Sequence, residues 1–447
     1  MPAVPLAINA YGRSQAFQPE VICLNMYVEE DKSGASPDKL MRISRPGLTI
    51  WNSLPSNVRG IFSQDGLFGG GTFAVAGSRL YSMSFGSETD IAGIGNGDRV
   101  RWAANYERLY VLSAFVAFQY EGTFVDGIEM PDLRDVQDID VLNNFPILLC
   151  PDGRFYWIEP GSAVVDPLNF ATAESSPDGA VAVRVLGDEA IIFGRKRGEV
   201  WQTTGNDAAP FLRAGGRNFD RGCLSRDAVL LFDNTILWVG DDCVVYRFAG
   251  VPQRISDHGI EQRLRDRTDL PSACIVEADG HKFYVLKIPG QGSFAYDAAT
   301  QQWSEFGSDG ETEWKPHCSA QVDDGWLVGD EGSGSVWLFD PDAAADDGDT
   351  IEKVISGTVP LQGLAGRNDS LSIGAGGNDD FTLQLRWRDG QDEFPSVYEE
   401  LEVRAPADIA SIYRLGQPDQ PFRTFELRVT DNVKVRISGA LANEAWQ

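Results

Sequence analysis

Short β-rich runs alternating with tight turns recur through the first three quarters of the chain. Each ends in a strand that carries Tyr, Trp or Phe. The copies read FAVAGSRLYSM, LYVLSAFVAFQYEG, ILLCPDGRFYWIEP, IIFGRKRGEVWQTTG, LWVGDDCVVYRFAG, FYVLKIPGQGSFAYD and WLVGDEGSGSVWLFD. Their aromatic positions are Tyr81, Tyr120, Tyr156, Trp201, Tyr246, Tyr296 and Trp337, separated by 39, 36, 45, 45, 50 and 41 residues. Several short strands in each unit of roughly 40–50 residues, without a long helical period, predict a β-propeller whose blades bury their faces against one another. Seven blades follow from the count, with six as the alternative. Regular placement of an aromatic at one point of every unit predicts blade-to-blade packing rather than a sugar-stacking platform.

The pattern changes at both ends. Residues 1–58 precede the first repeat and contain Pro2, Pro5, the charged turn EEDKSGASPDK and RISRPGL; they read as an arm that packs on the ring. The propeller is expected over 59–340. Within it, ISDHGIEQRLRDRTDL alone has helical spacing, at Ile255, Ile260, Leu264 and Leu270, with Asp257 as N-cap. The Asp- and Ala-rich stretch 341–350 reads as an acidic linker. Over 351–447, FTLQLRWRD, EELEVRA, FRTFELRVT and NVKVRISGA alternate as strands of a β-sandwich-like domain, with Phe381, Leu383, Leu385 and Trp387 on one face.

Composition agrees with a large all-β protein: 447 residues, 43% hydrophobic and 11% aromatic, with Gly 47 and Pro 23 supplying turns. A formal charge of -28 works against any direct hold on nucleic acid phosphates and against anionic membranes. The six cysteines, Cys23, Cys150, Cys223, Cys243, Cys274 and Cys318, form no CxxC pair and read as reduced thiols of an intracellular product. The N-terminus lacks the pattern of a secretory signal, and no apolar run is long enough for a membrane helix.

Candidate chemistry is sparse. His258, His281 and His317 stand at no local ligand spacing, and GxSxG, GxxxxGK[ST] and HExxH are absent. A calcium loop starting at Asp340 would place Ala344 and Ala345 where an acid and the turn glycine are needed. SPDG at Ser176 is a fragment of a sialidase-type turn, and no carboxylate pair across the ring's central pocket can be picked out. The expectation is therefore no catalytic, cofactor-binding or metal-binding residue.

Several phrases go beyond periodicity. From Asp220 to Glu261, DRGCLSRDAVLLFDNTILWVGDDCVVYRFAG and PQRISDHGIE resemble the packaged-DNA stabilisation proteins, the tail hub or nozzle of short-tailed bacteriophages. EVWQTTGNDAAPFLR from Glu199, the opening AYGRSQAFQPEVICLNMYVEE with RPGLTIW, and the closing IYRLGQPDQPFRTFELRVTDNVKVRISGA resemble the same family in the same order. RWRDGQDEF departs from it, standing where an Asp-Gly-Gly-x-x-Trp turn is expected. The resemblance implies a virion protein without an active site or cofactor, assembled in the host bacterial cytoplasm. It implies a homohexameric ring beneath the phage adaptor and portal, a tail needle or tip, tailspikes or fibres, and genomic DNA passing through the lumen without specific binding. The competing readings are a phage carbohydrate-binding or polysaccharide-degrading propeller and a host-protein scaffold, the latter lacking WD and kelch phrases.

Overall fold

A computed structural model describes residues 3–12, 20–34, 36–173, 178–206, 210–360, 370–416 and 420–443. Ser176 and parts of the phrases quoted above lie outside the described residues.

Seven four-stranded antiparallel units follow one another along the chain. Blade one runs from Val58–Ser63 to Ser87–Gly93, blade two from Arg101–Ala104 to Val125–Gly127, and blade three from Asp138–Leu142 to Phe170–Thr172. Blade four runs from Ala180–Leu186 to Phe211–Phe219, blade five from Leu230–Phe232 to Pro252–Arg254, and blade six from Ser272–Ala278 to Trp303–Phe306. Blade seven contributes Pro316–Val322, Gly325–Asp330 and Ser335–Asp340, and takes its fourth strand, Gly47–Ser53, from the other end of the chain. All seven recurring aromatics lie in the third strand of their blade.

The hydrophobic core is divided by the blades. Tyr120 packs between blades one and two, Tyr156 between two and three, Trp201 between three and four, and Tyr246 between four and five. Tyr296 and Trp337 serve the next two junctions. Tyr81 sits with Ala74 and Met83 of blade one against Leu327 and Val336 of blade seven, so the last junction closes the ring. Each aromatic thus covers the preceding blade. Burial of a ring of this size removes ~150–250 Å² from water, which no isolated blade could achieve.

The closing strand LTIWNS alternates sides, with Leu48 in the six–seven core and Trp51 against the seven–one core. Its entry demands Gly47, where a Cβ would lie 2.3 Å from the Ala345 carbonyl oxygen. The sequence pattern puts this strand in the arm; the structure builds it into the ring. Register pairs Leu48 with Phe339 and Asn52 with Val336, contacts separated by nearly the whole propeller.

The remaining arm belongs to the sandwich. One sheet holds Met26–Glu30, Leu40–Ser44, Val435–Ala442, Ser370–Gly377 and Asp408–Tyr413, with Ala3–Val4 on Val435–Ala442. The other orders Lys353–Pro360, Phe422–Val429, Phe381–Asp389 and Glu399–Val403, and it is continuous with blade six. Cys23–Leu24 makes that join, pairing parallel with the outer strand of the blade and antiparallel with Lys353–Pro360. Val4, Leu6, Cys23 and Met26 share one core with Leu383, Leu385, Phe425 and Ile437.

Phe381, Leu383 and Leu385 face that core, Trp387 packs at its margin, and Thr382, Gln384, Arg386 and Arg388 are more accessible. The departing phrase RWRDGQDEF forms a turn in which Asp389 accepts both prongs of Arg423, at 2.6 and 2.8 Å, while Phe394 lies beneath Arg386 and Arg388. The expected helix is present over His258–Arg265, and the Asp257 carboxylate caps it by accepting from the Ile260 N–H at 2.9 Å.

Candidate functional site at the axis of the ring

Innermost strands of a propeller leave one row of backbone groups facing the axis, and these need partners wherever water is excluded. In this chain side chains of neighbouring blades supply them. The Val183 N–H of blade four donates to Asp138 Oδ2 at 3.0 Å, and the Val185 N–H donates to Asp140 Oδ2 at 2.8 Å. Arg184 Nε donates to the Val229 carbonyl at 3.1 Å, and the Tyr284 hydroxyl donates to the Ala228 carbonyl at 2.7 Å. The Ile275 N–H donates to Ser319 Oγ at 3.1 Å, and His317 Nε2 donates to the Val58 carbonyl at 2.7 Å across the closing junction.

Charge concentrates in this network. Asp138, fully buried, takes Arg101 Nε at 3.2 Å on one oxygen and Arg184 Nη1 at 2.8 Å on the other. Arg101 also reaches Asp227 at 3.9 Å, beside Arg226 at 3.7 Å. Arg59 donates from all three nitrogens, to the carbonyls of Asp98, Gly77 and Gly95 and to Ser113 Oγ. Burial raises the Asp138 carboxyl above its ordinary range against the pull of Arg101 and Arg226. Burial likewise pushes Asp140 to about 7, with the N–H groups of Val185 and Val141 opposing it.

Between the inner strands lies a cavity of about 250 Å³, lined by Arg99, Arg101, Asp140, Arg184, Leu231 and Cys318 among others. It falls below the ~300–1,000 Å³ usual for ligand sites and gives no passage to a nucleic acid duplex. Asp138 and Asp140 both spend their oxygens on backbone N–H or guanidinium donors, which makes them clamps between blades. The Cys318 thiol is pushed up to about 12 by burial, so its thiolate is scarce at neutral pH.

The three histidines have separate local roles. His258 lies exposed at the start of the helix, 3.4 Å from Glu261; His281 pairs with Asp297 at 2.8 Å; His317 ties blade seven to blade one. Among the described residues no three potential metal ligands cluster, and no helix is long and apolar enough to cross a membrane. The axial charges were missed from sequence. Their signal is an ionisable residue inside an otherwise apolar inner-strand run, as at Arg184 in AVAVRVL and at Asp138 and Asp140 in DIDVL.

Fold and axis together define a closed seven-bladed β-propeller whose polar centre holds its blades together. The sequence matches the model of the phage stabilisation family, described as Bacteriophage P22 Gp10, beta-propeller, over residues 5–344, and the chain belongs to that family. A structural protein of a phage particle is the role that membership indicates. No curated protein matches the sequence. Similar solved structures include the WD40 propeller domain of Doa1, 12% identical, covering 65% of this chain and 96% of that one at TM-score 0.42. The computationally designed Ika8 protein, 12% identical, covers 65% and 99% at TM-score 0.41. The extracellular domain of BT4673 from B. thetaiotaomicron, 10% identical, covers 80% and 48% at TM-score 0.44.

Proposed function

We propose that this chain is the hub, or nozzle, of a short phage tail. Six copies form a ring below the portal and adaptor, extend the DNA channel, help to retain the packaged genome, and carry the tail tip with its spikes or fibres. Membership of the phage stabilisation family is the observation that carries this reading.

The architecture suits a mechanical part. Ala3–Val4 and Val435–Ala442 pair in one sheet, the propeller is closed by the strand Gly47–Ser53, and the sandwich shares a sheet with blade six. Load on one domain is therefore passed to the other through backbone hydrogen bonds. The small, charged axis of each propeller makes the DNA conduit a space between copies, not within one. A net charge of -28 keeps phosphates from adhering to such a wall. Subunits meet head to tail through two different patches that close by rotation.

Native mass of the purified chain, alone and mixed with the adaptor and portal of its phage, tests the proposal. A sixfold complex on the portal and adaptor is expected. A chain that stays monomeric and never joins them contradicts it.

A further inference from the structure

The axial cavity carries an imbalance that the blade contacts do not remove. Arg99, Arg101 and Arg184 line it against one lining carboxylate, Asp140, and the Asp138 carboxylate is shared by Arg101 and Arg184. Arg101 and Arg184 have a carboxylate within ion-pair distance; Arg99 has none among the described residues. Its Nη1 instead reaches across the ring to the Asp227 carbonyl oxygen, at 3.4 Å. Its charge acts on His317 and Cys318 of blade seven and on Cys274 and Tyr284 of blade six, so the guanidinium stands among the inner strands of several blades.

A guanidinium has five N–H donors, and with one long contact to a carbonyl the part-buried Arg99 keeps the rest open to whatever enters the cavity. In a chain with 66 acidic residues and 38 basic ones, an unpaired cation at the centre of the fold stands out against the surface around it. The cavity of about 250 Å³ is several times the ~30 Å³ claimed by one water molecule, enough for a small hydrated ion.

We infer that the axis of this propeller is a binding site for one small oxyanion of phosphate or sulfate size, held by Arg99 with the flanks of Arg101 and Arg184. The anion neutralises the arginine excess and ties blade two to blade four. A free oxyanion fits this space, whereas a phosphate within a duplex backbone is kept out by the width of the cavity. The inference concerns the single chain and does not depend on the tail assignment.

Equilibrium dialysis of the full chain against radiolabelled sulfate, with inorganic phosphate as competitor, tests it. Saturable binding of one sulfate per chain is expected. Arg99→Gln is expected to weaken it about tenfold, the loss of a charge-assisted contact, while Arg99→Lys keeps part of it. Leu231→Glu, which adds a carboxylate at the half-exposed mouth without touching Arg99, is expected to weaken it as well. Absence of saturable binding to the unaltered chain, or binding that survives unchanged in folded Arg99→Gln or folded Leu231→Glu, overturns the inference.

Discussion

Arg45 and Asp346 stand 301 positions apart and meet in a buried, two-pronged ion pair, Nη1 to Oδ1 at 2.9 Å and Nη2 to Oδ2 at 2.6 Å. Arg45 also donates to Asn25 Oδ1 at 2.8 Å and to the Gly307 carbonyl at 2.9 Å. One side chain therefore gathers the arm, the loop between blades six and seven, and the stretch that leaves the ring. Asp346 in turn bridges to Leu48 at the start of the closing strand.

Removal of one partner leaves a buried charge uncompensated. Asp346→Ala is expected to lower the unfolding free energy by about 3–5 kcal/mol in urea titrations. A loss below about 1 kcal/mol, the range of exposed pairs, would show that this clasp holds nothing.

The closing junction is tight at Gly334, where a Cβ would lie 1.9 Å from the Leu54 carbonyl oxygen; at Gly332 the nearest atom is 3.5 Å away, on Asp330. Gly334→Ala should destabilise by about 1–3 kcal/mol through overpacking. Gly332→Ala should stay within about 0.5 kcal/mol. Thermal melts of the two variants side by side decide the point, and equal melting temperatures would argue against a sealed seam.

Third-strand aromatics should be costly to truncate. Tyr156 is 1% exposed, whereas Tyr106 is 91% exposed. Tyr156→Ala is expected to cost about 3–5 kcal/mol and Tyr106→Ala less than about 0.5 kcal/mol in the same unfolding assay. Similar costs for both would contradict blade packing by the repeated rings.

Acid should weaken the seam through His317. Burial, aided by the Arg99 charge, holds its folded pKa at about 3 against an ordinary 6.5, so below the latter the unfolded chain takes up a proton that the folded chain refuses. Stability from this site is complete above about pH 6.5 and is lost as pH falls toward 3, at about 1.4 kcal/mol per unit. His317→Gln keeps a donor for the Val58 carbonyl and cannot titrate. Between pH 6.5 and 4.5 the unaltered chain should lose about 2–3 kcal/mol more than the variant. Parallel acid curves would refute the assignment.

Much of the ring was legible because propeller packing is repetitive. The same aromatic in the same strand of each blade writes the period into Tyr81 through Trp337, and the short helix is announced by Asp257 and by the spacing of Ile260 and Leu264. What stayed hidden is non-local. Nothing in LTIWNS says that its partner is SVWLFD, because either edge of a β-strand pairs with any complementary edge. DPDAAADDGDT has the composition of a linker, yet Asp346 within it is buried by a partner 301 residues away. Cys23–Leu24, two residues long, is too short for any periodic signal, although it joins ring and sandwich. The axial carboxylates escaped for a related reason: Asp138 and Asp140 gain their donors from blade four, across a junction that pattern alone does not display.

Electron cryomicroscopy of the intact particle tests the central claim most directly. The account predicts six copies of a seven-bladed disc encircling the tail axis below the portal and adaptor, each joined to a β-sandwich, with DNA density between the copies. A tail that lacks propeller-shaped density, or DNA running through the hole of a single propeller, would contradict it.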